Sequence, residues 1–147
     1  MIKFRGHLKS TYALKESFLF YLFLTSEIFS QQCTLNKQHS YTSLRVVFQG
    51  ALRITGCTNC CKRWYFTFNG NECRQPFAID AIIYHSANIN IHRSTTVEGY
   101  CGGIGQGAVN VGFSVGNCWG GSKSGDAYTS WNSVSRIIIE EVPPPQS

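Results

Sequence analysis

The stretch CTNCCKRWYF, residues 57–66, packs three cysteines into five positions and follows them with two cations and three aromatics. Three chemistries use such a pattern. Cys57 and Cys60 form a C-x-x-C pair, half of a tetrahedral zinc site; the same pair at the start of a helix is a redox centre; and clustered cysteines in an oxidising compartment are a disulfide staple. The zinc reading lacks its second half, because no other C-x-x-C exists and six residues separate His85 from His92, wider than the usual spacing of about three to five. The redox reading lacks its helix, since the β-type run Trp64-Tyr65-Phe66-Thr67-Phe68 follows. A staple leading into a strand is therefore expected. In an extended segment Cys60 and Cys61 point to opposite faces, so each should find its partner elsewhere.

Two glycine motifs invite catalytic readings. Gly112-Phe113-Ser114-Val115-Gly116 fits G-x-S-x-G, the elbow that exposes a nucleophilic serine at a strand-to-helix turn. No helix pattern follows, and all four histidines (His7, His39, His85, His92) precede Ser114, against the order that hydrolase fold needs. A hydrolase using Ser114, or a thiol enzyme pairing a cysteine with His92, is the alternative to a binding protein. Gly103-Ile104-Gly105-Gln106-Gly107-Ala108 imitates a phosphate-cradling turn, but Ala108-Val109-Asn110-Val111-Gly112-Phe113 alternates as a strand and supplies no helix N-terminus to hold a phosphate. The carboxylates are dispersed, only Glu140 and Glu141 being adjacent, so no acid and base pair forms in sequence. Neither a cofactor nor a metal is expected.

The elements that position these residues are short β-type runs punctuated by Gly, Asn and Ser. They are Leu44–Phe48, broken at Gly50 and resuming at Ala51–Thr55; Trp64–Phe68, ending on the hairpin dipeptide Asn69-Gly70; and Ile79–Tyr84, Ile89–His92, Ala108–Val115 and Val134–Ile139. Beyond residue 30 no helical periodicity is sustained, and β-branched and aromatic residues fill the runs. The fold expected is all-β, a disulfide-stapled sandwich or jelly roll. The chain divides into a leader over 1–30, a globular head over 31–142 and a proline-rich tail over 143–147.

Composition narrows function further. Charged residues are 14% of the 147, against about 25% in a typical domain, and hydrophobic residues are 43%. The formal net charge of +5 comes from scattered cations, and Lys62-Arg63 is the only adjacent pair, so nucleic-acid binding is not expected. Seven cysteines are many for a reducing compartment. Lys3, Arg5, Lys9 and Lys15 precede the apolar run Phe18–Leu24, a secretory-signal pattern too short to anchor stably in a membrane. Export to the extracellular space is expected.

The blocks C-x-x-CCKRWYFTFNG-x-EC over 57–73, AIIY over 81–84, INIHR over 89–93, VEG-x-C over 97–101 and WNSVSRIIIEE over 131–141 resemble the C-terminal globular domain of the collagen triple helix repeat-containing protein family. The likeness runs from about Gln32 to Val142. It implies a secreted, matrix-associated, non-enzymatic protein whose head is similar to the trimeric jelly rolls of complement globular heads and tumour-necrosis-factor ligands. It also implies roles in cell migration, tissue remodelling and Wnt signalling through Frizzled-type receptors, with matrix proteins as further partners. The chain shows no Gly-X-Y segment, residues 1–31 match nothing in the family pattern, and the glycan acceptor expected near Ile89 is missing, with only Asn71-Glu72-Cys73 as a weak alternative.

A homotrimer is expected, with ten Phe, seven Tyr and three Trp to bury. The disulfide candidates are Cys33, Cys57, Cys60, Cys61, Cys73, Cys101 and Cys118; an odd number leaves one free or bonded between chains. Cys33, ahead of the first clear strand, is the first candidate for an interchain bond, with Cys60 or Cys61 next.

Overall fold

The computed structural model describes residues 17–22, 31–120 and 124–144; the rest of the expected leader and the tail from 145 onward lie outside the described residues. The described residues are all-β, with no helix. The strands are β1 Ser17–Leu22, β2 Gln31–Lys37, β3 Ser43–Thr55, β4 Cys60–Phe68, β5 Asn71–Glu72, β6 Asp80–His85, β7 Arg93–Cys101, β8 Gly107–Asn117, β9 Asp126–Thr129 and β10 Ser135–Val142.

Two antiparallel sheets result. The first runs β1-β10-β3-β7 with β9 on the far end of β3; the second runs β2-β8-β4-β5 with β6 also on β4. The chain passes repeatedly from one sheet to the other, a winding consistent with a jelly roll.

Period-two alternation fills the space between the sheets. Trp64, Phe66 and Phe68 alternate inward along β4 while Arg63, Tyr65 and Thr67 face out. Phe48 of the first sheet stacks on Phe113 of the second at 4.2 Å, and Phe66 tilts against Phe113 at 4.8 Å. Trp64 is fully buried, and its indole N–H donates to Thr129 Oγ1 at 2.8 Å, so the polar end of a large side chain is satisfied across the sandwich.

The Asn69-Gly70 hairpin forms as expected, both residues at positive φ (50° and 81°) between Phe68 and Asn71, which pair. Other expectations need correction. Gly50 does not break a strand, because β3 runs unbroken for 13 residues. A β-carbon there would lie 2.0 Å from Ser135 Oγ and 2.8 Å from the Phe48 ring, so this glycine admits a close neighbour within the sheet. Ile89–His92 forms no strand; β7 starts at Arg93.

One strand falls inside the stretch expected as a leader. Ser17–Leu22 pairs with β10, from Ser17 opposite Glu140 to Leu22 opposite Ser135, and covers an edge that would leave unpaired backbone groups.

Candidate functional site

The cysteine cluster closes into staples. Cys57 bonds Cys60 across the turn between β3 and β4, with Asn59 at φ 51° allowing so short a loop to close. Cys61 bonds Cys118, tying the start of β4 to the chain just after β8, and Cys73 bonds Cys101, joining the second sheet to the first. Their Cα separations of 5.9, 5.5 and 5.8 Å are ordinary for disulfides. Cys60 and Cys61 do part company as the extended geometry requires, but Cys60 turns back to a residue only three positions away.

Cys33 is the unpaired cysteine, and its setting differs from expectation. It lies within β2, not ahead of the first strand, and its side chain shares the buried row of Leu35 opposite Val111. Burial pushes its thiol up to about 11, so the thiolate needed for exchange is scarce near neutrality. A buried place inside β2 is not the position ahead of the strands at which an interchain bond was expected.

Ser114 and His92 do not meet. Ser114 sits inside β8 opposite Tyr65, on the outward row of the second sheet, with three further strand residues after it instead of an elbow. His92 lies on the loop before β7, stacked on Trp131 at 4.7 Å beyond the first sheet. His85 is buried on β6 opposite Cys60. Among the described residues no group of three or more Cys, His, Asp or Glu is placed to hold a metal ion.

The Lys62–Phe66 run is likewise split by alternation. Lys62 is buried and donates to Asn117 Oδ1 at 2.8 Å, Trp64 and Phe66 enter the core, and Arg63 is held by Glu72 and Asp80. A base-stacking platform does not form.

Two features gave no signal in the sequence. Lys37 is a fully buried lysine: its ammonium donates to the His39 carbonyl and to Thr42 Oγ1 at 2.8 Å, and lies 4.0 Å from Glu141. Glu141 also accepts from the Gln38 and His39 amides at 2.8 and 2.9 Å. Burial alone would raise the Glu141 pKa, but these hydrogen bonds and that of Thr42 hold it below the ordinary range, while burial lowers that of Lys37. The network fastens the turn between β2 and β3 to the end of β10. A shallow cleft of about 320 Å³ opens nearby, lined by Tyr41, Tyr100, Gln75 and Pro144 among others, with no nucleophile and base pair on its walls.

The second feature is a surface cluster at the far end of the first sheet. Arg53 of β3 lies over the Tyr128 ring of β9 at 3.9 Å and donates to Asn90 Oδ1 at 2.8 Å. His92 and Trp131 stack beside it, and Trp131 remains half-exposed. Burial and the charge of Arg53 lower the His92 pKa, keeping the imidazole neutral at pH 7.

Residues 26–139 match the family model described as CTHRC1, C-terminal domain. The chain belongs to that family. It is the C-terminal globular domain of the collagen triple helix repeat-containing proteins, an extracellular matrix-related family. Within this CTHRC1 domain all seven cysteines and the Arg53 cluster fall inside the matched span, whereas β1 lies ahead of it.

Proposed function

We propose that this chain is a secreted, non-enzymatic protein of the extracellular matrix whose β-sandwich head acts by binding. In this reading a homotrimer of heads engages Frizzled-type receptors or matrix proteins and modulates Wnt signalling, cell migration and tissue remodelling. The observation that carries it is the CTHRC1 family match over residues 26–139 on a sandwich held by three disulfides, a covalent frame suited to an oxidising compartment. The separation of Ser114 from His92, with six cysteines locked in bridges, gives an enzymatic reading no assembled nucleophile and base.

The test is expression of the full chain in mammalian cells. The protein should appear in conditioned medium, sediment as a trimer, bind an immobilised Frizzled ectodomain and shift a Wnt reporter. Retention inside the cell, or secreted protein that leaves receptor and reporter unmoved, overturns the reading. Rapid labelling of Ser114 by a fluorophosphonate would overturn its non-enzymatic part.

A further inference from the structure

Three arginines that point outward from the sheets are not treated alike. Arg45 is bound by Glu98 and Glu140, and Arg63 by Glu72 and Asp80. Arg53 pairs with no carboxylate among the described residues. Its contacts are the neutral Asn90 amide and the face of Tyr128, and its Nε is buried without an acceptor. In register the next outward residue on β9 is Asp126, opposite Thr55, and it forms no ion pair with Arg53. No carboxylate among the described residues offsets the Arg53 charge. Arg93, directly after His92, is opposite the core-facing Leu52 and so lies on the other row of the sheet from Arg53.

The wall beside this charge is aromatic. His92 and Trp131 stack nearly parallel, 18° apart, and half of the Trp131 surface stays in solvent. The loop holding Trp131 is left-handed on both sides: Ser130 and Asn132 take φ of 62° and 48°, a region costly for serine and readily adopted by asparagine. The Ser130 amide donates to the Ala51 carbonyl at 2.8 Å, which fixes the turn on β3. His92 Nδ1 and Ser130 Oγ, like Arg53 Nε, are buried without partners.

We propose that Arg53, Asn90, His92 and Trp131 form a binding site for an acidic saccharide, an oligosaccharide bearing sulfate or carboxylate groups. The planar fork of Arg53 matches the oxygens of such an anion, and the apolar face of a sugar ring packs on the half-exposed indole. One aromatic wall with one cation suits a single acidic sugar unit at a time. A nucleic acid would ask for a longer row of cations and stacking rings, which this end of the sheet lacks. The site goes beyond the receptor-binding reading and stands on its own geometry.

The experiment is an NMR titration of the folded, oxidised protein with a heparin-derived hexasaccharide, its desulfated counterpart and a polyglutamate peptide. The sulfated sugar should move the Trp131 indole N–H and residues around Arg53 and Asn90. Arg53→Gln and Trp131→Ala should each weaken binding at least tenfold, while Arg63→Gln should leave it unchanged. Binding that centres on other residues, equal binding by Arg53→Gln, or equal binding of polyglutamate at the same site overturns the assignment. Should Arg53→Gln fail to fold, Trp131→Ala and Asn90→Ala decide, and undiminished affinity in both overturns it equally. Loss of Frizzled binding in the Proposed function test would leave this result untouched, so the two readings fail separately.

Discussion

Arg63 and Arg53 occupy matching places on opposite sheets: each projects outward from a central strand and lies over a tyrosine ring, Tyr65 at 4.7 Å and Tyr128 at 3.9 Å. Arg63 is then neutralised, its guanidinium bridging Glu72 of β5 and Asp80 of β6, so one side chain braces three strands. Among the described residues Arg53 meets an amide and a ring, with no carboxylate partner. The same residue type thus serves as a strut where acids answer it and as an available charge where they do not. Covalent support follows the same division, since the Cys61–Cys118 bridge borders the Arg63 brace and no disulfide joins β3 to β9.

The largest effect should come from removing that bridge. Replacing Cys61 and Cys118 by serine frees a loop with a sequence separation of 57, and chain entropy predicts a loss of about 4 kcal/mol. Urea unfolding followed by circular dichroism reads it directly. A loss confined to the second sheet, with Trp131 fluorescence still native, would show that the two regions are less coupled than one cooperative core requires.

Next comes the strut itself. Arg63→Met should cost about 1 kcal/mol at pH 7 because both carboxylates lose their partner. The pH dependence has a definite sign. The hydrogen bonds from Arg63 hold the Glu72 carboxyl below its ordinary value of 4.5, so that stabilisation is complete above this pH and is lost as acid titrates the folded-state group. The gap between wild type and Arg63→Met should therefore close on acidification below about pH 4.5; a gap that persists there would assign the brace to packing instead of charge.

Arg53→Met should change stability by no more than about 0.5 kcal/mol, with no closing gap in acid, because no carboxylate answers this residue. A cost equal to that of Arg63→Met would erase the contrast between the two sites.

The smallest effect concerns His92. Burial and Arg53 depress its pKa, so the folded state resists protonation and its contribution to stability falls as pH drops below the ordinary 6.5. In Arg53→Met the His92 titration, followed by NMR, should move up toward that value. An unmoved titration would leave burial as the sole cause.

Much of the fold was legible because alternation has a physical period of two. The rows that carry Trp64, Phe66 and Phe68 inward, and the Asn69-Gly70 turn, follow from residue type and spacing alone. Other strands were hidden for reasons equally physical. Gln31–Lys37 is polar on every outward position, and its inward row ends on Lys37, whose burial depends on Thr42, His39 and the distant Glu141. Gly50 and the Ile89–His92 run misled in opposite senses: a glycine next to Ser135 inside a strand looks like a break, and an apolar run leading into a loop looks like a strand.

What the sequence by itself determined was the all-β class, the staple reading of residues 57–61 and the family, since local periodicity, cysteine spacing and ordered motif blocks are properties of the chain. Which cysteine stays free, which arginine keeps its charge unanswered and where Trp131 meets His92 were decided only in three dimensions. Each depends on partners brought together across strands, such as Cys61 with Cys118, Arg53 with Asn90 and His92 with Trp131. Residue type sets what a side chain offers, and only the register and winding of the sheets determine which neighbour answers it.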